Sequence, residues 1–560
     1  MPERRLAISI KGGVSLGAYE AGALTETLRL IQYNNSLINN TKWYIDVLTG
    51  ASAGSITAVL VALALINQNS NYLYQVWVKE LSFGTLCPPP DSADPAANDY
   101  LLDAASLDML ANKYVQFPAI VSRHPALRPG DAELRLRFTL SRVNPIVTAV
   151  STSNGDVLNI EQYAQNASFI TKIDSENVLS LKACGVAAAN YTNPNHNVTG
   201  GEAWNAMQQA GIASGTFPLA FAPRQLRIWD SQRQWLDTTF IDGGLFDNDP
   251  VGEAINLAHD IDWYSGNDYD DNDRRYLIVH TAPSAAPGLL PNTPNSYALL
   301  INLINSLLTE CSTSGLRGII EVNRQFAQRS DFIRTLADQI SAAVPLPPGV
   351  LNQLAEWRGI TISQLAFLQL TLIPDLQHTD PEVFATIDAL PEAQKVSFTD
   401  LALAMDLALG LADKVRIDPI LIVPQAAPGA AANADVLAGD PLYGFGGFLV
   451  SDFRTRDFEQ GRYDAWEAWS RIAQNGDEFT MPAPDNAEYP PPIMPEDASE
   501  VMTINRALYE QGRDQFFKRV DTVADQIAKG IVGGSGGLLS PVEQQIARVI
   551  IDMLAHKVLA

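Results

Sequence analysis

Cysteine is scarce. Three residues, Cys87, Cys184 and Cys311, stand far apart in a 560-residue chain and form no paired metal-ligand spacing. That argues against a disulfide framework and a thiolate metal centre, and makes a reduced, cytoplasmic setting the expectation. Basic residues are also short. Lys and Arg total 38 against 63 Asp and Glu, a net charge of −25, so nucleic acid and strongly anionic membranes are poor partners. Long apolar runs are missing as well. The longest helix-like one, Ile56–Ile66, falls well below the roughly twenty residues that span a bilayer and reads as a buried helix. The strand-like run starts directly after Met1-Pro2-Glu3-Arg4, so Sec-type export is not the expectation, and no internal repeat is recognised. With 46% hydrophobic residues the chain can bury a large core, and at this length two structural units are expected.

What is present is a set of short glycine-flanked motifs at strand ends. Gly50-Ala51-Ser52-Ala53-Gly54 lies between the strand-like Trp43–Leu48 and the helix-like Ser55–Ala62. A strand-to-helix turn this tight admits only small residues beside the serine and lifts its hydroxyl above the sheet at a helix N-terminus, the setting of a nucleophile elbow. Upstream, the alternating strand Arg5–Ile10 runs into Lys11-Gly12-Gly13-Val14-Ser15-Leu16-Gly17 and a helix-like Ala18–Leu24. Paired glycines before a helix let backbone amides approach an oxyanion, so Gly12 and Gly13 are oxyanion-hole candidates. A Walker A loop is ruled out because Gly17 is followed by Ala18, and the glycine spacing does not suit a dinucleotide loop. A plain glycine turn is the bland alternative. Downstream, Gln234–Ile241 reads as a strand delivering Asp242-Gly243-Gly244, which places a carboxylate where it can accept a serine proton. Alone, that tripeptide is an ordinary turn.

In this order, and with the small-residue and proline segment Ala213–Pro223 between the last two, the motifs resemble those of the patatin-like phospholipases over residues 5 to 255. The resemblance implies an α/β fold: a three-layer α/β/α catalytic domain with a mainly helical C-terminal region. It also implies a Ser52–Asp242 dyad, an oxyanion hole at Gly12, Gly13 and Val14, an elbow framed by Gly50 and Gly54, and an Asp-Gly-Gly motif completed by Gly243 and Gly244. Many members carry a third glycine and then Arg or Lys in the first loop, where this chain has Val14 and Leu16. Backbone donors survive that change, but a positive charge there is lost or passes to Lys11. A second similarity, to the C-terminal region of long bacterial relatives, covers Phe445–Leu449, Asp452-Phe453-Arg454, Asp457 and Gly461–Ala465. Its physical reading is a turn and helix docked by buried Arg–Asp pairs.

The expected division is a catalytic domain at 1–285, with an insertion at 88–130 that reads as a lid or a surface excursion, and a helical region at 286–560. Strands are expected at 134–140, 146–150, 275–280 and 420–423, a proline-rich linker at 482–495, and a capped amphipathic helix from Ser540 to Leu554 that docks on the protein, a partner or a membrane. The acidic run Asp268–Asp273 lacks the central glycine and final glutamate of a calcium loop and reads as a solvated loop, so no metal and no cofactor are expected. The resulting function is a lipid acyl hydrolase whose partner is a lipid or phospholipid ester, with transient membrane contact and no nucleic acid. Two alternatives stand beside it: a Ser-His-Asp esterase using His280, and a catalytically silent binding member of the fold.

Overall fold

The computed structural model describes residues 2–87, 100–118, 121–151, 157–218, 220–230, 234–264, 274–281, 314–339, 349–366, 368, 377, 381–411, 414, 416–425, 436–441, 444–476 and 479–533. These form two compact units. The first holds the described residues of Met1–Asn267, Arg274–Ser314 and Pro419–Ala560, and the second those of Gly315–Asp418. The chain after residue 285 is therefore shared between both units. Cys311, the acidic run 268–273 and the closing helix expected from Ser540 lie outside the described residues.

The first unit is built on a mixed sheet. Its strands are β1 (Glu3–Ile10), β2 (Lys42–Gly50), β3 (Ala132–Ser151), β4 (Val157–Ile173), β5 (Leu179–Cys184), β6 (Val186–Ala188), β7 (Asn197–Thr199), β8 (Arg224–Trp229), β9 (Trp235–Asp242), β10 (Arg274–Val279) and β11 (Ile420–Ile422). The order β11-β10-β1-β2-β3 is parallel throughout, and β4, β5 and β7 continue antiparallel. β9 joins the far end of β3 antiparallel, bringing β8 and β6 with it. Parallel strands of this kind are buried on both faces. Accordingly Leu6, Ile8 and Ile10 enter the main core with the helices Gly17–Ser36 and Ala53–Asn67, while Ala7 packs with Ala254, Leu257 and Ala258 of the helix Val251–Tyr264 on the other side. That is the expected α/β/α layering.

β2 holds one extra residue opposite β1: Leu6 faces Ile45, but Ala7 faces Val47. The bulged Asp46 is bound by the Arg274 guanidinium at 2.6 and 3.0 Å, which fixes the phase that places Gly50 opposite Ile10.

The helix Ser451–Gln474 packs along Gly17–Ser36 within this same unit. A Cβ on Gly22 would strike the Phe458 carbonyl, and one on Gly461 would lie 2.8 Å from the Ala23 nitrogen and strike the Tyr19 carbonyl, so the two backbones meet through their glycines. The docking differs in part from paired Arg and Asp. Arg454 donates to the main-chain oxygens of Val78 at 3.0 Å and Gly447 at 2.6 Å, and Asp457 accepts from the Ala438 and Gly439 amides at 2.7 and 2.8 Å. Arg456 beside Asp457 and Arg462 on Glu26 are the ion pairs. The proline-rich 482–495 stretch is non-helical, and it is held in place: Tyr489 packs on Tyr33 and the Pro490 carbonyl accepts from Arg29.

The second unit is helical, with Ser314–Gln339 (its first residue counted with the first unit), Val350–Trp357, Pro381–Asp388 and Glu392–Leu409 around a core of Ile333, Val383, Phe398 and Leu403. Its one deeply buried ion pair joins, among the described residues, Arg329 and Asp406 at 2.9 Å.

Candidate active site

The carboxyl ends of β1, β2 and β9 converge. Ser52 follows β2 with φ +50° and ψ −124°, a backbone state that L-residues avoid and that the surroundings must hold at a cost of roughly 1–3 kcal/mol. They do so from three sides. The Ala51 amide donates to the Ile10 carbonyl at 3.2 Å, and the Ser52 amide donates to the Ser214 hydroxyl oxygen at 2.9 Å. Gly54 runs so close beneath β1 that a Cβ would come within 2.8 Å of the Lys11 carbonyl oxygen. Gly50, the other elbow glycine, ends β2 opposite Phe138 of β3.

Asp242 ends β9, pinned by its amide to the Thr216 carbonyl at 3.0 Å. Its side chain is buried and accepts from Ser52 Oγ at 2.6 Å and from the Gly244 amide at 2.7 Å. Burial pushes its carboxyl up to about 7, and those two hydrogen bonds oppose the rise. Gly243 lies against the Thr139 backbone of β3, with no room for a side chain. Among the described hydrogen bonds no imidazole stands between Ser52 and Asp242. His280 follows β10, and its amide donates to the Ile422 carbonyl at 3.0 Å.

The first glycine loop runs past this pair. The Gly12 amide donates to the Asn248 carbonyl at 3.2 Å, so its contribution is clearance: a Cβ there would sit 2.8 Å from that of Ser52. Neither the Gly13 nor the Val14 amide has an acceptor among the described residues. Val14 adopts φ +54°, and the next residue, Ser15, locks the turn. Its amide donates to the Gly444 carbonyl at 3.0 Å, its hydroxyl donates to the same oxygen, and it accepts from the Gly447 amide at 3.1 Å. The C-terminal part of the chain thus shapes the loop beside the serine.

Under the loop lie Lys11 and Glu20, both buried. Burial lowers the Lys11 ammonium to about 8, against the pull of Asp249 and Glu20, and raises Glu20 to about 8 although Thr57 donates to it at 2.9 Å. Ser214, Thr216, Glu20, Asn248 and Gly444 carry no motif of their own. Ser214 and Thr216 at least fall in the small-residue segment before the aspartate strand.

One turn beyond the nucleophile, Ile56 enters the wall of an apolar cavity of about 50 Å³, with Leu60, Val76, Leu110, Val115 and Ile212. Leu110 and Val115 come from the described part of the 88–130 stretch, whose helix Ala104–Tyr114 is docked: the Trp204 indole donates to the Val115 carbonyl at 2.8 Å, and Arg224 pairs with Asp108 at 2.7 Å. Cys87 and Cys184 are free thiols. Among the described residues no cluster of three metal-ligating side chains occurs and no helix is long and apolar enough to cross a membrane.

No curated protein matches the chain. Residues 8–255 match the family of patatin-like phospholipases, and that stretch contains the elbow, the glycine loop and the Asp242 strand. The chain is therefore consistent with a patatin-like protein with a long extension, the match to the patatin-like phospholipases being confined to its first half.

Proposed function

We propose that this protein hydrolyses carboxylic esters of lipids or phospholipids through a Ser52–Asp242 dyad and an acyl-enzyme. The observation that carries the reading is the 2.6 Å hydrogen bond from Ser52 Oγ to Asp242 Oδ2. As Oγ attacks the ester carbonyl carbon, Asp242 takes its proton, and the carbonyl oxygen becomes an oxyanion. The Gly13 and Val14 amides meet that charge, because they are aimed by a fixed loop and have no other acceptor to give up. Collapse of the tetrahedral intermediate expels the alcohol, which leaves with the proton held on Asp242. Water then attacks the acyl-enzyme with Asp242 again as base, and the fatty acid is released. The apolar cavity that starts at Ile56 is suited to the acyl chain, since it offers hydrocarbon surface and almost no hydrogen-bonding groups.

The test is labelling of the folded protein with a fluorophosphonate, followed by peptide mass spectrometry. Phosphonylation of Ser52 that is absent in Asp242→Asn is the expected result. An unmodified Ser52 in folded wild type would point to a silent binding protein.

A further inference from the structure

β3 and β4 outrun the rest of the sheet. β3 is in parallel register with β2 as far as Phe138 opposite Gly50, two residues before the serine, and reaches β9 with Leu140 opposite Asp242. Beyond Arg142 its partner among the described residues is β4 alone, from Ile146 opposite Gln162 to Ser151 opposite Val157. Because β2 and β3 point the same way, this two-stranded ribbon leaves the sheet at the edge where β2 delivers Ser52 and β9 delivers Asp242.

Directly opposed residues of an antiparallel pair share a face. Thr148 opposes Ile160 and Val150 opposes Leu158, so Ile146, Val150, Leu158 and Ile160 line one face, while Val147 and Val157 lie on the other. All six are exposed, Leu158 at 57% and Val157 at 63%. Between Val143 and Gln162 the sequence holds two charged residues, Asp156 and the exposed Glu161 opposite Val147, in a chain whose acidic residues outnumber its basic ones by 63 to 38. A protruding aliphatic ribbon is a liability in water, where natural edges normally carry charge. Hydrocarbon repays its exposure at about 25 cal/mol per Å² of apolar area buried. Its few charges are acidic and none is basic, which disfavours an anionic surface and suits one that is uncharged overall.

We propose that the β3–β4 ribbon docks the protein on a zwitterionic phospholipid surface, seating its aliphatic side chains at the headgroup boundary and turning the Ser52 edge of the sheet toward the lipid. The benefit of that orientation rests on the lipid-ester reading. The docking itself involves no chemistry.

The experiment is co-sedimentation of the full chain with phosphatidylcholine vesicles, beside turnover of a water-soluble nitrophenyl ester. Wild type and Ser52→Ala should pellet alike, and Val150→Asn/Leu158→Asn should partition at least about tenfold less while hydrolysing the soluble ester at the wild-type rate. Tryptophan at Val150 (V150W) should shift its emission to the blue when vesicles are added. Unchanged partition of the double variant, or no spectral shift, overturns the proposal. So does a wild type that ignores vesicles but forms a dimer that the double variant dissolves, because the ribbon then seats a second copy. A wild type that pellets yet never cleaves an ester would sink the hydrolase reading and leave the docking standing.

Discussion

Ser52→Ala and Asp242→Asn should each lower hydrolysis of a medium-chain nitrophenyl ester at least about a hundredfold, the scale on which losing a nucleophile or general base is felt. The two groups share one hydrogen bond of 2.6 Å, so each is idle without the other. The double variant should consequently be hardly slower than either single one. Losses that multiply would mean that the residues act separately, and near-normal turnover in either single variant would reject the dyad. Both substitutions are nearly isosteric, and Asp242→Asn keeps an oxygen for the Gly244 amide, so circular dichroism should show an intact fold.

A comparably large effect is expected far from the site in sequence. Gly461→Leu forces a side chain into the backbone of Tyr19 and Ala23, where even a Cβ has no room, and should destabilise the first unit by about 3 kcal/mol, read by urea denaturation. The loss should also appear in catalysis. The helix that begins at Ser451 is continuous with the Gly444–Gly447 segment that holds Ser15, and Ser15 sets the turn that presents the Gly13 and Val14 amides. Ester hydrolysis at a temperature where the variant is still folded should therefore fall. Wild-type stability in Gly461→Leu would show that the two helices separate without cost and that the C-terminal helix is not part of the catalytic unit.

The sequence was legible where the physics is local. A strand, a tight turn and a helix around Ser52, and a strand ending at Asp242, are visible because small residues at strand ends have few other uses. The fold class followed from the same motifs through the patatin-like resemblance. What could not be read is what depends on distant partners. Nothing in Ser15 announces Gly444, and nothing in the glycine pair announces that the Gly12 amide is held by Asn248, leaving the next two as the open donors. The strand at 420–423 and a docked turn and helix at 445–465 were legible, but their membership of the first unit, across a boundary expected at 285, was not, because a glycine-to-glycine helix crossing leaves no period in the sequence. The long ribbon was half visible. Ile146–Val150 reads as a strand, but only its pairing with Val157–Gln162 shows that both faces stay in water.

The central claim is that the base is Asp242 and no histidine, and the pH dependence of kcat/KM in wild type and His280→Asn tests it most directly. Asp242 works as a base only when ionised, and burial holds its carboxyl near 7, so the rate should fall about tenfold per pH unit below that point. Because a histidine titrates near 6.5 in the ordinary case, the wild-type profile alone does not separate the two bases. The variant does. His280→Asn should retain the same acid limb and activity within about tenfold of wild type, well short of the 10²–10⁴-fold loss that removal of a general base brings. A loss of about three orders of magnitude with the fold intact would contradict the account, making His280 the base and Asp242 its orienting partner.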